Sequence, residues 1–292
     1  MKKDVLLPTY KRQRFLLAFV RQLKDCISIT DLQKLVFLYT MSEDSRFYDF
    51  VPYKFGPYSF QLKEDLDILQ RDSFIRITIN QESTRIKAIG EYTPEFIFNI
   101  AIERGKKLLR KAYLEYPYYA INSEIIDRLF TGKELNQFNQ NKPSFSQTEQ
   151  TLFTIGYEGK SIEMFVNSLI QNNIHLLCDV RKNPLSHKFG FSQKRLKHIV
   201  QTVGIKYTHI PELGIESQKR SSLKTHDDYA SLFSEYGKGL HKMPQLFNAV
   251  YDLLLDNNRI ALMCFESDPK MCHRHVIRDL VTSMWPVKSI DI

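Results

Sequence analysis

The spacing of apolar residues changes character near the middle of the chain. Before residue 131, apolar residues mostly recur at intervals of three and four, the spacing that buries one face of a helix. This spacing predicts four helices, over residues 15–23, 32–40, 62–69 and 96–114. Asp31 lies at the start of the second helix, where a carboxylate can cap free backbone N–H groups.

Two segments interrupt this helical spacing. Apolar and polar residues alternate over Phe74–Asn80 and again over Arg85–Ile89, which predicts a hairpin of two strands. Gly56 and Pro57 predict a turn, because proline lacks the N–H that a helix or a central strand needs. Helices followed by a small hairpin favour a mainly helical, winged-helix-like N-terminal domain.

After residue 150, short apolar runs alternate with helical segments. The runs predict strands over residues 151–156, 175–181, 205–210 and 259–264. Helices are predicted over residues 162–171, 193–203, 227–236 and 243–257, and after Cys272, with Ser161 and Ser192 as caps of the first two. This alternation predicts an α/β domain with a mostly parallel sheet flanked by helices.

A polar segment separates the two patterns. Residues 131–150 are rich in Asn, Gln and Ser, a composition typical of linkers. The sequence therefore predicts an N-terminal domain over residues 1–130, a linker over 131–150, and a C-terminal domain over 151–292.

Composition limits the possible partners and compartments. The 292 residues carry a net charge of +8, which is compatible with a nucleic-acid or nucleotide partner but equally with a solvated basic surface. The chain lacks the run of about 18 apolar residues that would span a membrane, and Met1–Asp4 does not resemble a signal peptide. We therefore expect a cytoplasmic protein without a membrane partner. Four cysteines in a chain of this length do not form a disulfide framework.

Polar residues follow each predicted strand of the C-terminal domain. The residues at these four strand ends are Tyr157 and Glu158, Asp179 and Arg181, Glu212, and Cys264 with Glu266. Because the carboxyl ends of parallel strands meet at one edge of a sheet, we expect these side chains to line one pocket.

The segment from Cys264 to Arg274 has the highest density of reactive side chains. Glu266, together with Asp179, is a candidate for proton transfer, and Cys272 is a candidate nucleophile because a helix N-terminus favours its thiolate. His273 is a second catalytic candidate. Three other residues have simpler alternatives: Cys264 as a buried inert thiol, and Asp179 with Arg181 as an ion pair that orients the site.

Anion binding and metal binding are both possible in this segment. Arg181 and Arg274 can hold a phosphate or carboxylate through paired N–H groups. Cys264, Cys272 and His273 are candidate ligands of zinc or iron, with Glu266 as a fourth, although the Cys-x7-Cys-His spacing is not that of a known structural zinc site. The cofactor is left open. A rhodanese or thiol phosphatase would need a Cys-x5-Arg loop after the strand, which this segment lacks.

Four short segments of the C-terminal domain resemble the signatures of the domain of unknown function family 488. They are Thr154–Gly159, Cys178–Arg181, Pro211–Gly214 and the segment Cys264–Arg274. The resemblance spans about residues 151–284 and implies an α/β fold with a site at these segments, without a known reaction. The segments Leu32–Leu38, Tyr53–Ser59 and Asp65–Leu69 resemble the Panacea-type antitoxin-like domain, over about residues 10–115.

Two classes of function remain at this stage. The first is an enzyme that acts on a nucleic acid, nucleotide or other phosphate-bearing ligand at the carboxyl edge of the C-terminal sheet. The second is a non-catalytic regulatory or defence protein whose C-terminal domain senses a ligand. In both cases the N-terminal domain would recruit a nucleic-acid or protein partner.

Overall fold

The computed structural model describes residues 7–43, 47–80, 83–90, 95–99, 102–220, 223 and 225–292. The chain forms two compact units, Met1–Ser144 and Phe145–Ile292. Within the described ranges, no helix has the length and apolarity needed to cross a membrane.

The N-terminal unit is mainly helical, with two small antiparallel sheets. Its helices are α1 (Lys11–Gln22), α2 (Ile29–Ser42), α3 (Phe60–Arg71), α4 (Gly105–Glu115), α5 (Ile126–Leu129) and α6 (Gly132–Asn141). Its strands are β1 (Ile27–Ser28), β2 (Val51–Tyr53), β3 (Gly56–Tyr58), β4 (Ile75–Asn80) and β5 (Ser83–Ala88). One sheet has the order β1-β5-β4 and the other pairs β2 with β3, so the predicted hairpin and the predicted turn at Gly56 are both confirmed.

The cap of α2 differs from the prediction. Ser28, not Asp31, caps this helix: its Oγ accepts a hydrogen bond from the backbone N–H of Asp31 at 3.0 Å. The carboxylate of Asp31 accepts instead from the backbone N–H of Gly105 at 2.9 Å. Asp31 therefore fixes the start of α4 rather than that of its own helix.

The predicted helix over residues 96–114 is too long. Only Gly105–Glu115 is helical, and residues 96–99 have no helical structure. The rings of Phe96 and Phe98 pack against Phe15 with centroids 5.7 and 5.2 Å away, whereas Ile97 between them is 89% exposed. This two-residue periodicity is that of extended backbone, because alternate side chains point to opposite sides.

Part of the predicted linker is ordered. Helix α6 lies within residues 131–150 and buries Phe138, whose ring stacks on Phe130 with centroids 4.8 Å apart. The boundary between the units, at Ser144 and Phe145, falls in the second half of that segment. Its polar composition concealed the aromatic contact that attaches α6 to the N-terminal core.

The C-terminal unit contains a parallel sheet flanked by helices, as predicted. The strands are β6 (Thr151–Gly156), β7 (Leu176–Asp179), β8 (Lys206–His209), β9 (Arg259–Cys264) and β10 (Lys288–Asp291), in the order β10-β6-β9-β7-β8. All four pairings are parallel. Strand β10 escaped prediction because Ile290 is its only apolar residue, as suits an exposed edge.

Five helices accompany this sheet. They are α7 (Ile162–Gln171), α8 (Gln193–Thr202), α9 (His226–His241), α10 (Pro244–Asn257) and α11 (Arg274–Met284). Ser161 caps α7 as predicted, since its Oγ accepts from the backbone N–H of Met164 at 3.0 Å. Ser192 does not cap α8 through its side chain, because its Oγ donates to the carbonyl of Ser186 at 2.8 Å.

The position of β9 creates the crevice in which a site can form. Although β9 is the fourth strand of the sheet in chain order, it lies between β6 and β7. The carboxyl ends of these three strands are therefore adjacent, at the point where the strand order reverses. Crevices of this kind are the usual ligand sites of open α/β sheets.

Candidate functional site

The carboxyl ends of β6, β9 and β7 border a cavity of about 250 Å³. Its walls come from these strand ends, the loop after β7 and the turn before α11: Tyr157, Arg181, Lys182, Asn183, Leu185, Cys264, Phe265 and His273. Four of the residues that the sequence singles out, Tyr157, Arg181, Cys264 and His273, thus share one cavity. Leu185 and Phe265 add exposed apolar surface to its wall, at 75% and 42% exposure.

Two thiols and one imidazole nitrogen converge on one wall of this cavity. Cys264 ends β9, whereas Cys272 and His273 lie immediately before α11. Their three ligand atoms lie within 4.8 Å of one another, and within the described part of the chain this is the group of side chains that can hold a metal ion. His273 Nδ1 is 3.8 Å from Cys264 Sγ and 4.0 Å from Cys272 Sγ.

The thiol of Cys272 is not activated by its surroundings. Burial raises its pKa well above the ordinary value and the hydrogen bond with Cys264 raises it further, while the contact with His273 lowers it only in part. The sequence predicted the opposite, a thiolate favoured by a helix N-terminus, but α11 begins two residues later, at Arg274. A thiol protonated at neutral pH is a weak nucleophile, so a thiolate here needs a cation beside it.

Glu266 stands next to the thiols. It is half-buried, and its Oε2 accepts a hydrogen bond from the Cys264 thiol with an S···O distance of 3.5 Å. Its position, two residues beyond the end of β9, places a carboxylate beside the cluster, as the sequence predicts.

Asp179 and Arg181 form a buried, bidentate ion pair. Arg181 donates to Asp179 from Nε at 2.8 Å and from Nη2 at 2.6 Å, and the two side chains are 6% and 0% exposed. Burial lowers the pKa of Arg181, but the hydrogen bonds and charge of Asp179 outweigh it and the pKa is raised overall. Asp179 is thus engaged with protein groups, which favours the orienting role over direct proton transfer.

Three residues that the sequence did not single out complete this network. Tyr207 donates to Asp179 Oδ2 at 2.8 Å, and the carbonyl of Phe191 accepts from Arg181 Nη1 at 3.0 Å. His209 Nε2 lies 2.8 Å from the carbonyl oxygen of Arg181. Tyr207 and His209 alternate along β8, and this spacing beside β7 is the signal that could have identified them.

Arg274 is buried and bound to backbone rather than open to a ligand. It is 1% exposed, and its Nε donates to Thr154 Oγ1 at 3.1 Å. Nη1 donates to the carbonyl of Glu266 at 2.6 Å and Nη2 to that of Ser267 at 3.0 Å. The guanidinium therefore holds the loop after β9 against β6, a role that the sequence did not suggest.

Glu158 and Glu212 lie away from the wall formed by the thiols. Glu158 Oε2 accepts from the backbone N–H of Ser267 at 3.0 Å and is exposed. Glu212 lines a separate cavity of about 410 Å³ with Tyr236, and Lys182 borders both cavities. The predicted single pocket is thus divided into two neighbouring cavities.

Gly156 permits the close packing of the two loops beside the site. A Cβ atom at this position would lie 1.8 Å from the carbonyl oxygen of Glu266, closer than any contact allows. Glycine is therefore required at the end of β6 for the loop that carries Glu266 to approach it.

A basic segment runs from the cavity along α8. Residues 182–198 contain five Lys and Arg residues and no Asp or Glu. Lys182 lines the cavity, and Lys194 and Lys197 are exposed on α8, three residues apart and therefore on one face. The guanidinium of Arg195 lies 4.8 Å from the ring centroid of Phe189.

Two further lysines bind the backbone where β6 ends. Lys160 Nζ donates to the carbonyl of Gly156 at 3.0 Å and Lys188 Nζ to that of Tyr157 at 2.9 Å. Burial lowers the pKa of both ammonium groups, and the charges of Arg274 and Lys188 lower that of Lys160 further. The approach to the cavity is therefore cationic.

Comparison with known proteins gives one result for the C-terminal unit. No curated protein and no solved structure matches the chain. Residues 161–281 match the model of the family described as domain of unknown function DUF488, a span that begins after β6 and ends within α11. The C-terminal unit therefore carries a DUF488 domain, and Asp179, Arg181 and the thiol–imidazole cluster all lie inside it.

Proposed function

We propose that the C-terminal unit is an enzyme that acts on a phosphate-bearing ligand, nucleic acid or nucleotide, at the carboxyl edge of its sheet. The observation that carries this proposal is the placement of the cavity. Its wall contains a thiol–imidazole cluster with a carboxylate beside it, and its border continues into the acid-free segment 182–198. Reactive side chains are thus joined to a surface that attracts phosphate.

The ligand would enter beside the loop after β7. Lys182 borders the cavity, and Lys194 and Lys197 lie farther along the same segment, so a polyanion can follow one continuous basic path. Leu185 and Phe265 offer the apolar contact that an unstacked base prefers. Glu266 is the proposed proton carrier, because it is the acid in hydrogen-bond contact with Cys264 at the cavity wall.

Charge reversal on α8 tests the proposed ligand. Lys194→Glu with Lys197→Glu should weaken binding of single-stranded DNA or RNA and reduce the slope of log affinity against log salt by about 2, one for each lost phosphate contact. Lys238→Glu with Lys242→Glu is a control with the same change in charge on exposed sites of α9 and its end. Fluorescence anisotropy at several salt concentrations measures both variants, and equal losses in the two would refute a specific basic path.

Turnover tests the enzymatic part of the proposal. Nucleotides and short DNA and RNA strands, incubated with the full chain and analysed by mass spectrometry, should yield a product that disappears with Glu266→Gln. Retained binding without any product would instead favour the non-catalytic, ligand-sensing class.

A nucleic-acid role for the N-terminal unit has one supporting observation. Arg76 and Lys87 are directly opposite each other in the β4–β5 hairpin, and both are exposed. Facing like charges destabilise a hairpin unless an anion lies between them. We therefore propose that this winged-helix-like unit contacts phosphates through its hairpin, and Arg76→Glu with Lys87→Glu in the same anisotropy assay measures that contribution.

A further inference from the structure

The thiol–imidazole cluster has the composition and arrangement of a metal centre. Cys264 comes from the end of β9, and Cys272 and His273 come from the turn before α11, so two separate segments converge on one point. All three residues are at most 2% exposed, although two thiols and an imidazole offer little apolar surface to justify that burial. A shared ion would explain why these side chains face one another.

The orientation of His273 supports this interpretation. Its Nε2 lies 3.0 Å from the carbonyl oxygen of Val180, and only a protonated nitrogen can donate to a carbonyl. In the neutral ring Nδ1 is then the unprotonated nitrogen, and Nδ1 is the atom that faces both sulfurs. A histidine whose second nitrogen donates to a backbone carbonyl is the usual form of a metal ligand.

The distances fit a small tetrahedral ion. With zinc–sulfur bonds of about 2.3 Å and zinc–nitrogen bonds of about 2.0 Å, a tetrahedral site separates sulfur from nitrogen by about 3.5 Å. The two observed separations are 3.8 and 4.0 Å, so contraction by a few tenths of an ångström would complete the site. Two thiolates and one imidazole are the ligands that favour zinc over harder cations.

We propose that Cys264, Cys272 and His273 bind one zinc ion, whose fourth position opens into the 250 Å³ cavity. Cys264 and His273 line that cavity, so a water on the ion would face it. Glu266 is not among the three side chains whose ligand atoms mutually lie within 4.8 Å, yet it contacts Cys264. It therefore stands beside the ion as a proton acceptor rather than a ligand.

This centre supplies a hydrolytic step, and the use of that step rests on the proposed function. The zinc-bound water loses a proton to the Glu266 carboxylate, and its oxygen forms a bond to an electrophilic carbon or phosphorus atom of a substrate in the cavity. The bond from that atom to the leaving group breaks, and the leaving group departs with the electron pair and takes the proton from Glu266. No oxidant or second cofactor is needed.

Metal analysis of the purified full chain tests the centre. We expect one zinc per chain by elemental mass spectrometry, and sulfur-to-metal charge-transfer absorption when cobalt(II) replaces zinc. Cys264→Ser, Cys272→Ser and His273→Ala should each lose both signals, whereas Cys26→Ser and Cys178→Ala should keep them, because neither thiol belongs to the cluster.

Wild-type protein keeps the test decisive even if a ligand variant fails to fold. Wild-type chain that binds no zinc from an equimolar solution and gives no cobalt–thiolate absorption overturns the proposal. Loss of zinc in Glu266→Gln would make Glu266 a ligand and overturn the open fourth position. The charge-reversed α8 variant should retain its zinc, so failure of nucleic-acid binding and failure of the metal centre are separate results.

Discussion

Single residues at the carboxyl edge divide into those that build the edge and those left for chemistry. Asp179, Arg181 and Arg274 are buried and bonded to protein groups. Cys264 and His273 line the cavity, and Glu266 stands beside them. Charged residues that dominate the sequence motifs are therefore largely the framework of the site.

Asp179→Asn should destabilise the C-terminal unit by about 3–5 kcal/mol, because it leaves the Arg181 guanidinium buried without its counter-charge. Trp285 is the only tryptophan and lies in this unit, so its fluorescence during urea unfolding reports this change. Glu158→Gln, at an exposed carboxylate, is the control and should cost about 1 kcal/mol or less. Equal losses would remove the case for a framework role of Asp179.

Lys34 gives the N-terminal unit a distinct pH dependence. Burial lowers its pKa from 10.5 to about 7, so between these values the unfolded chain binds more protons than the folded one. Stability should therefore rise with pH in this window, by about 2 kcal/mol between pH 7 and pH 9 relative to Lys34→Met. The far-UV circular dichroism transition that Trp285 fluorescence does not follow measures it, and parallel pH profiles for the two proteins would contradict the prediction.

At the scale of elements, local signals and tertiary contacts compete. Ser161 was predictable as the cap of α7 because the apolar spacing starts directly after it. Ser28 was not, because Asp31 offered a second capping side chain and only the contact with Gly105 assigns it elsewhere. Extended residues 96–99 were missed for the same reason, since the packing of Phe96 and Phe98 on Phe15 has no local signature.

Two serines of α7 make the capping argument testable. Ser161→Ala should cost about 1 kcal/mol, because the N–H of Met164 loses its partner. Ser168→Ala, inside the same helix, should be neutral or slightly stabilising, because its hydroxyl only returns to the carbonyl of Met164. Trp285 fluorescence again follows unfolding, and a larger loss at Ser168 would contradict this ranking.

At the scale of the whole molecule, the sequence predicted the two-part organisation and the residues that meet at the sheet edge. It did not separate the two cavities, because Glu212 and Cys264 both follow strands and only the path of the loop after β8 sends Glu212 to the second one. Nor did it predict the role of Arg274, whose carbonyl partners carry no sequence signal.

The segment between the units should be the first point of proteolysis. Residues 142–150 contain no helix or strand and are mostly exposed, whereas α6 before them packs Phe138 into a core. Brief digestion with a protease of broad specificity should therefore release two stable fragments that end near residues 142–150. Mass spectrometry identifies the ends, and a first cut within α6 would contradict the assignment of that helix to the N-terminal core.

The central position of β9 also governs when the C-terminal unit can fold. Thr151 pairs with Arg259 and Leu176 with Ile260, so the strand that joins β6 to β7 is synthesised long after both. Contacts so distant in sequence form slowly, and until then the apolar edges of β6 and β7 stay unpaired. On the ribosome, this unit would therefore remain open to chaperones until β9 emerges, and the cysteine and histidine side chains would meet only in that final step.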